Sequence, residues 1–198
     1  MSKQDTREYE VILWGATGFT GALVARHLVA TYGDALQWAI AGRNREKLER
    51  LREELGNPEL PVIEADSADR KSLDAMAAST RVICTTVGPY ALYGDELLAA
   101  CAAAGTHYCD LTGEVQWMAR NIERHLPAAK KSGARIVHTC GFDSIPSDLG
   151  TWFLQQHMFD QFGEYADEVK SRVGKFSGGA SGGTIASMMQ MMEEASGD

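Results

Sequence analysis

The sequence predicts an α/β fold: a doubly wound parallel-sheet Rossmann domain, followed by the start of a second α/β substrate domain. Three observations predict it. Short apolar runs alternate with amphipathic stretches, six times before Cys140. A glycine-rich string, GATGFTG (Gly15–Gly21), joins the first run to the first amphipathic stretch. The 198 residues suffice for one well-buried domain and the beginning of another.

The elements follow in order. Strands are expected at Glu10–Trp14, Gln37–Ala41, Pro61–Ala65, Arg81–Val87, His107–Leu111 and Arg135–Cys140, where apolar residues form short runs. The first helix, Phe19–Tyr32, stops before Gly33. The second, Asn44–Leu55, puts Leu48, Leu51 and Leu55 on one face. Asp69–Ala78, Gly94–Ala104 and Glu114–His125 complete the alternation, with Pro127 expected to break the last. After Gly150 the pattern changes to a helix over Thr151–Phe162 and a polar strand over Asp167–Phe176. The string SGGASGG (Ser177–Gly183) follows, and then a Met-rich helix over Thr184–Ala195. One strand and two helices cannot bury a core of their own. Residues 1–150 are therefore expected to form an NAD(P)-binding domain, and 151–198 an incomplete substrate or dimerisation domain that leaves the cleft open. The terminal apolar helix then needs a partner, such as a second copy in a homodimer.

Composition narrows the function. Hydrophobic residues at 44% and charged residues at 23% are ordinary for a globular chain, and a net charge of −8 argues against a nucleic-acid surface. No apolar run reaches the length of a membrane span, and the polar opening MSKQDTREYE lacks the core of a signal peptide. A cytoplasmic location is expected, with peripheral membrane contact left open. Cys84, Cys101, Cys109 and Cys140 contain no CxxC pair and read as free thiols. No HExxH or similar metal-ligand spacing occurs, so no metal is expected.

The glycine string carries the first chemical signal. Gly15 permits a tight turn, Gly18 lets a pyrophosphate approach the backbone, and Gly21 lets helix pack on strand. Together with Ala16, Thr17, Phe19 and Thr20 it forms an expected phosphate cradle at a helix N-terminus. The second strand ends AIAGRNR (Ala39–Arg45), without the acidic residue that would bind a ribose 2′-hydroxyl. Arg43 and the adjoining Asn44 instead suit a 2′-phosphate, with Arg45 and Lys47 adding positive charge, so NADP is preferred to NAD. Asp66 is read equally as an adenine contact or as a helix N-cap. Val87, Gly88, Pro89 and Tyr90, leaving the fourth strand, are expected beside the nicotinamide.

Five strings together, GATGFTG, AGRNREKL, TTVGPYALYG, GTHYCDLTGE and CGFDSIPSDLG, span Val11–Gly150. In this order they resemble the saccharopine-dehydrogenase-like oxidoreductases, in particular the trans-acting enoyl reductases. The resemblance implies NADPH-dependent reduction of a carbon–carbon double bond in a small-molecule or carrier-bound acyl substrate of lipid type. It also implies service to a polyketide synthase, and a chain about twice this length with a second α/β domain. Such a reduction needs a proton donor and a group polarising the conjugated carbonyl. The candidates are Tyr90, Tyr93, Asp110 and Asp143, with Glu114 following the same strand as Asp110 and with Thr112 and Ser144 read equally as helix caps. Two alternatives stay open: a saccharopine-type amino-acid dehydrogenase, for which Lys170, Arg172 and Lys175 are the visible cations, and a non-catalytic NADP-binding, lipid-associated module.

Overall fold

A computed structural model describes residues 7–175, 177–179 and 181–196. Six parallel strands form one sheet in the order β3-β2-β1-β4-β5-β6. They are β1 (Tyr9–Trp14), β2 (Trp38–Gly42), β3 (Val62–Glu64), β4 (Thr80–Thr85), β5 (His107–Cys109) and β6 (Ile136–Val137). The order reverses between β1 and β4, which opens a crevice at their carboxyl ends.

Register makes the two faces legible. One transverse row runs Val62–Ile40–Leu13–Cys84–Cys109–Val137 across all six strands. Over the inner part of this row pack α1 (Phe19–Tyr32) and α2 (Arg45–Glu54), through Ala25, Leu48 and Leu51. The opposite row includes Ile12, Ile83 and Tyr108. It is covered by α3 (Arg70–Ser79), α5 (Asp95–Ala104) and α6 (Val115–Ser132), through Leu73, Leu97 and Trp117. Strands moving one way from β1 and the other way from β4 put their right-handed crossovers on opposite faces, which is why both are covered.

Several sequence expectations need correction. Helix α6 runs straight past Pro127 to Ser132. Trp117 and Asn121 before the proline and Ala129 after it are buried, so packing holds both halves in one helix. Pro127 itself is exposed, and water can satisfy the carbonyl it leaves unpaired. The Gly94–Ala104 helix is preceded by a separate turn, α4 (Tyr90–Tyr93). The Thr151–Phe162 helix begins earlier, as α7 (Ile145–Phe162) with Pro146 in its first turn, so the expected boundary at Gly150 falls inside a helix. Residues 167–175 form no strand, and Phe176 lies outside the described residues. A strand needs a neighbour for its N–H and C=O groups, and among the described residues none pairs there.

The last helix, α8 (Gly182–Ser196), is capped by Ser181, whose Oγ accepts from Thr184 N at 3.2 Å. Helix α7 buries no residue and exposes Trp152, Phe153 and Phe162. No helix among the described residues is long and apolar enough to cross a membrane.

Candidate functional site

The crevice at the carboxyl ends of β1, β2 and β4 holds a cavity of about 320 Å³. Its floor is the glycine loop. Gly15 has φ +85° and sits so close to β4 that a Cβ would meet Val87 Cγ2 at 2.5 Å. Gly21 lies behind the loop, where a Cβ would strike the Gly15 carbonyl and come within 2.8 Å of Ala16 Cα. Both glycines, with buried Ala16, are thus demanded by packing. Gly18 differs: the only atom near its Cβ position is Gly15 O at 3.3 Å, and the residue itself faces the cavity. No side chain caps α1, so its first-turn amides are presented to the cavity with the positive end of the helix dipole. Thr17, Phe19 and Thr20 line the same floor.

Arg43 stands at one end of the cavity, beside Ser67. It is exposed and has no hydrogen-bond or ion-pair partner among the described residues. Its neighbours are committed elsewhere. Asn44 Oδ1 accepts from Lys47 N at 2.8 Å as the N-cap of α2, and Arg45 pairs with Glu49 at 3.4 Å. Asp66 Oδ1 accepts from Ala68 N at 2.8 Å in a tight turn, while Asp69 is the N-cap of α3. Asp66 is therefore not the cap of α3, and its neighbour Ser67 lines the cavity.

At the other end stand Thr86, Val87, Gly88 and Tyr93, with Ser181 and Gly183. Ser187 Oγ comes within 3.4 Å of where a Gly88 Cβ would lie. The residues after Gly150 therefore do reach the cleft, through Ser181 and the first turns of α8. The sequence marks this contact only through the SGGASGG string (Ser177–Gly183), which has the composition of a flexible connector. Pro89 only leads into α4 and does not line the cavity.

The remaining candidates are built into the scaffold. Tyr90 is buried, its hydroxyl donates to Thr85 O at 3.2 Å, and burial and then the Asp110 charge push its pKa up. The Glu114 carboxylate is also buried and accepts from the amides of Tyr90 (2.8 Å) and Ala91 (2.7 Å), tying the loop after β5 to the start of α4. Asp110 does the same towards β6. Its Oδ1 accepts from Thr112 N (3.1 Å) and Thr139 N (2.9 Å), and its Oδ2 meets His138 Nδ1 at 2.6 Å. Two buried carboxylates thus bind together the loops after β4, β5 and β6. Asp143 is exposed before α7 and does not line the cavity, and Ser144, the N-cap residue of α7, makes no side-chain cap bond. His138 escaped the sequence reading because no motif contains it; only its place just past the last strand could have marked it.

The cleft therefore assembles Gly15, Thr17, Gly18, Phe19, Thr20, Arg43, Val87, Gly88 and Tyr93 from the expected set. It adds Trp14, Gly42, Ser67, Thr86, Ser181 and Gly183. Among the described residues no group of side chains could hold a metal ion.

Residues 11–137 match the family model described as the saccharopine dehydrogenase NADP binding domain. A Mycobacterium tuberculosis relative is 46% identical over 194 residues, covering 97% of this chain and 46% of its own length. A trans-acting enoyl reductase of Mycobacterium leprae is 42% identical over 197 residues, covering 98% of this chain and 47% of its own. The chain thus spans about half the length of the curated relatives it matches. Among solved structures, apo saccharopine dehydrogenase (L-Glu forming) from Saccharomyces cerevisiae superposes with a TM-score of 0.55 at 16% identity, covering 77% of this chain and 32% of that one. Triphenylmethane reductase from Citrobacter sp. gives 0.53 at 19% identity, covering 77% of this chain and 54% of that one. At these identities the two structures show the fold alone.

Proposed function

The chain belongs to the saccharopine dehydrogenase NADP-binding domain family, and from that premise we propose that it is the cofactor-binding part of an NADPH-dependent enoyl reductase acting in trans. The observation that carries the reading is the cleft itself, which joins an uncapped helix N-terminus to an unpartnered Arg43 at one end and to Tyr93 at the other. The residues fit the cofactor. Gly18 leaves open the space where a pyrophosphate would approach, and Arg43 is free to pair with a 2′-phosphate.

When bound, the nicotinamide supplies hydride to one carbon of the double bond. The chain's own residues do the rest. Val87 and Gly88 wall the nicotinamide half, and the Asp110 and Glu114 ties hold that wall in place. Tyr93 is the candidate proton donor, because it lines the cavity whereas the Tyr90 hydroxyl is spent on the backbone. Relatives bearing the enoyl reductase name at 42–44% identity over nearly the whole chain support this reaction. An acyl substrate delivered on a carrier by a polyketide synthase is what the resemblance to trans-acting enoyl reductases implies, and we propose it as the partner reaction. Residues 151–198 then begin the substrate or dimerisation domain, and the exposed aromatic residues of α7 suit burial against it or against a second copy. Four free cysteines accord with a cytoplasmic setting.

NADPH consumption with a panel of 2-enoyl thioesters tests the proposal, using this chain and a protein of the relatives' full length. Turnover of the enoyl thioesters by the longer protein, reduced in Tyr93→Phe with NADPH affinity retained, is the expected outcome. Turnover of saccharopine-type amino acids in place of enoyl thioesters would refute it.

A further inference from the structure

Three thiols gather at the carboxyl ends of β4, β5 and β6; Cys84 and Cys109 lie on the sheet face that carries α1 and α2, where Cys84 borders the core those helices build and Cys109 lies one strand further out. Cys84 and Cys109 are direct partners in the transverse row, whose outer member, Val137, is 51% exposed. Cys140 follows, with Sγ 3.6 Å from Val137 O. All three are half-buried and free. Paired positions on neighbouring parallel strands carry their side chains on the same face, and their Cα atoms are about 4.8 Å apart. That separation lies inside the range of about 4.4–6.8 Å that a disulfide accepts. The two thiols also influence each other's protonation: interaction with Cys109 is the main cause that lowers the Cys84 pKa, and the same interaction, then burial, raises that of Cys109.

We propose that Cys84 and Cys109 form a redox-responsive thiol pair, closed to a disulfide by hydroperoxides, whose closure loosens the cofactor cleft. The Cys84 thiolate attacks the hydroperoxide, breaking its O–O bond to give a sulfenic acid and release water or an alcohol. The Cys109 sulfur then attacks the sulfenyl sulfur while its proton leaves with the departing hydroxide as a second water. Two thiols lose two electrons, and the hydroperoxide gains them. Cys84 is the attacking group because its thiolate is the more readily formed.

The link to the cleft is short. Thr86, two residues beyond Cys84, donates its hydroxyl towards Gly15 O (3.3 Å), and Val87 packs against the Gly15 turn. The Cβ atoms of a parallel pair do not converge, so closing the S–S bond draws the end of β4 towards β5 and away from that turn. NADPH affinity should fall, and by reciprocity bound NADPH should slow the cross-link. The inference rests on cofactor binding in this cleft and not on the proposed enoyl reduction.

The experiment treats wild type, Cys84→Ser, Cys109→Ser and Cys140→Ser with hydrogen peroxide, with and without saturating NADPH. Peptide mapping by mass spectrometry and NADPH titration follow. Wild type and Cys140→Ser should yield a linked Cys84–Cys109 peptide, less of it when NADPH is present. They should also show weakened NADPH binding that a dithiol restores. The other two variants should keep their affinity through the treatment. A link that uses Cys140, no link at all, or a Cys84–Cys109 link that leaves affinity unchanged overturns the proposal. Should a serine variant fail to fold, the wild-type map and titration decide alone.

Discussion

Replacing Arg43 with alanine isolates one charge against one phosphate. Among the described residues Arg43 has no partner to lose, so the effect of its removal falls on the bound cofactor. A hydrogen bond to a charged group contributes about 1.5–3 kcal/mol. Arg43 is exposed, which selects the lower end of that range because solvent and salt screen the pair. At about 1.4 kcal/mol per decade, the NADPH dissociation constant should rise about tenfold in Arg43→Ala. NADH, which lacks the phosphate, should be affected little. Arg45 provides the control. Its guanidinium is held by Glu49 one turn along α2, so Arg45→Ala should change the NADPH constant by no more than about twofold. Fluorescence titration of both cofactors against all three proteins, at low and high salt, makes the measurement. Equal affinities of the wild type for NADPH and NADH would refute the assignment. So would NADPH and NADH weakening in parallel in Arg43→Ala.

Three further outcomes follow from the same geometry. Gly18→Val should abolish NADPH binding while the far-ultraviolet circular dichroism stays native, because its Cβ meets only one carbonyl at 3.3 Å; Gly21→Ala, whose Cβ strikes the Gly15 backbone, should instead lower the melting temperature. Normal binding by Gly18→Val would put the phosphates elsewhere. Glu114→Ala strands two amides that the carboxylate holds at 2.8 and 2.7 Å, and should cost about 2–6 kcal/mol in urea unfolding. A loss under about 1 kcal/mol would show that water replaces it freely. The Tyr9 pKa is raised from 10.0 to about 12, first by burial and then by its hydrogen bond to Glu8. The folded state therefore holds this proton more tightly than the unfolded chain. Its contribution is complete below pH 10.0 and is lost as pH rises through about 12. Melting curves of Tyr9→Phe should be flatter than wild type across that window, and parallel curves would count against the assignment.

Much of the fold was legible because its signals are local. The helix Phe19–Tyr32 was read to its last residue, since a glycine loop starts it and Gly33 ends it. The floor of the cleft was legible for the same reason: the glycine string belongs to one loop and one helix end. Elements governed by distant contacts were misread. Pro127 ends a helix in isolation, but Trp117 and Ala129 are packed on either side of it and carry the helix through. Residues 167–175 have the composition of a strand but no neighbour to pair with.

The sequence by itself determined the parallel α/β architecture, the glycine loop, and the preference for a 2′-phosphate, because each depends on residues close together in the chain. Only the tertiary structure decided which polar residues face the cavity. It turned Tyr90, Asp110 and Glu114 inward as ties between loops, and set Arg43 and Tyr93 on the lining of the cleft. It also carried Ser181 and Gly183 back to the glycine loop and set Cys84 beside Cys109. A side chain's type states which bonds it can make; whether those bonds are already made within the protein depends on neighbours that folding supplies.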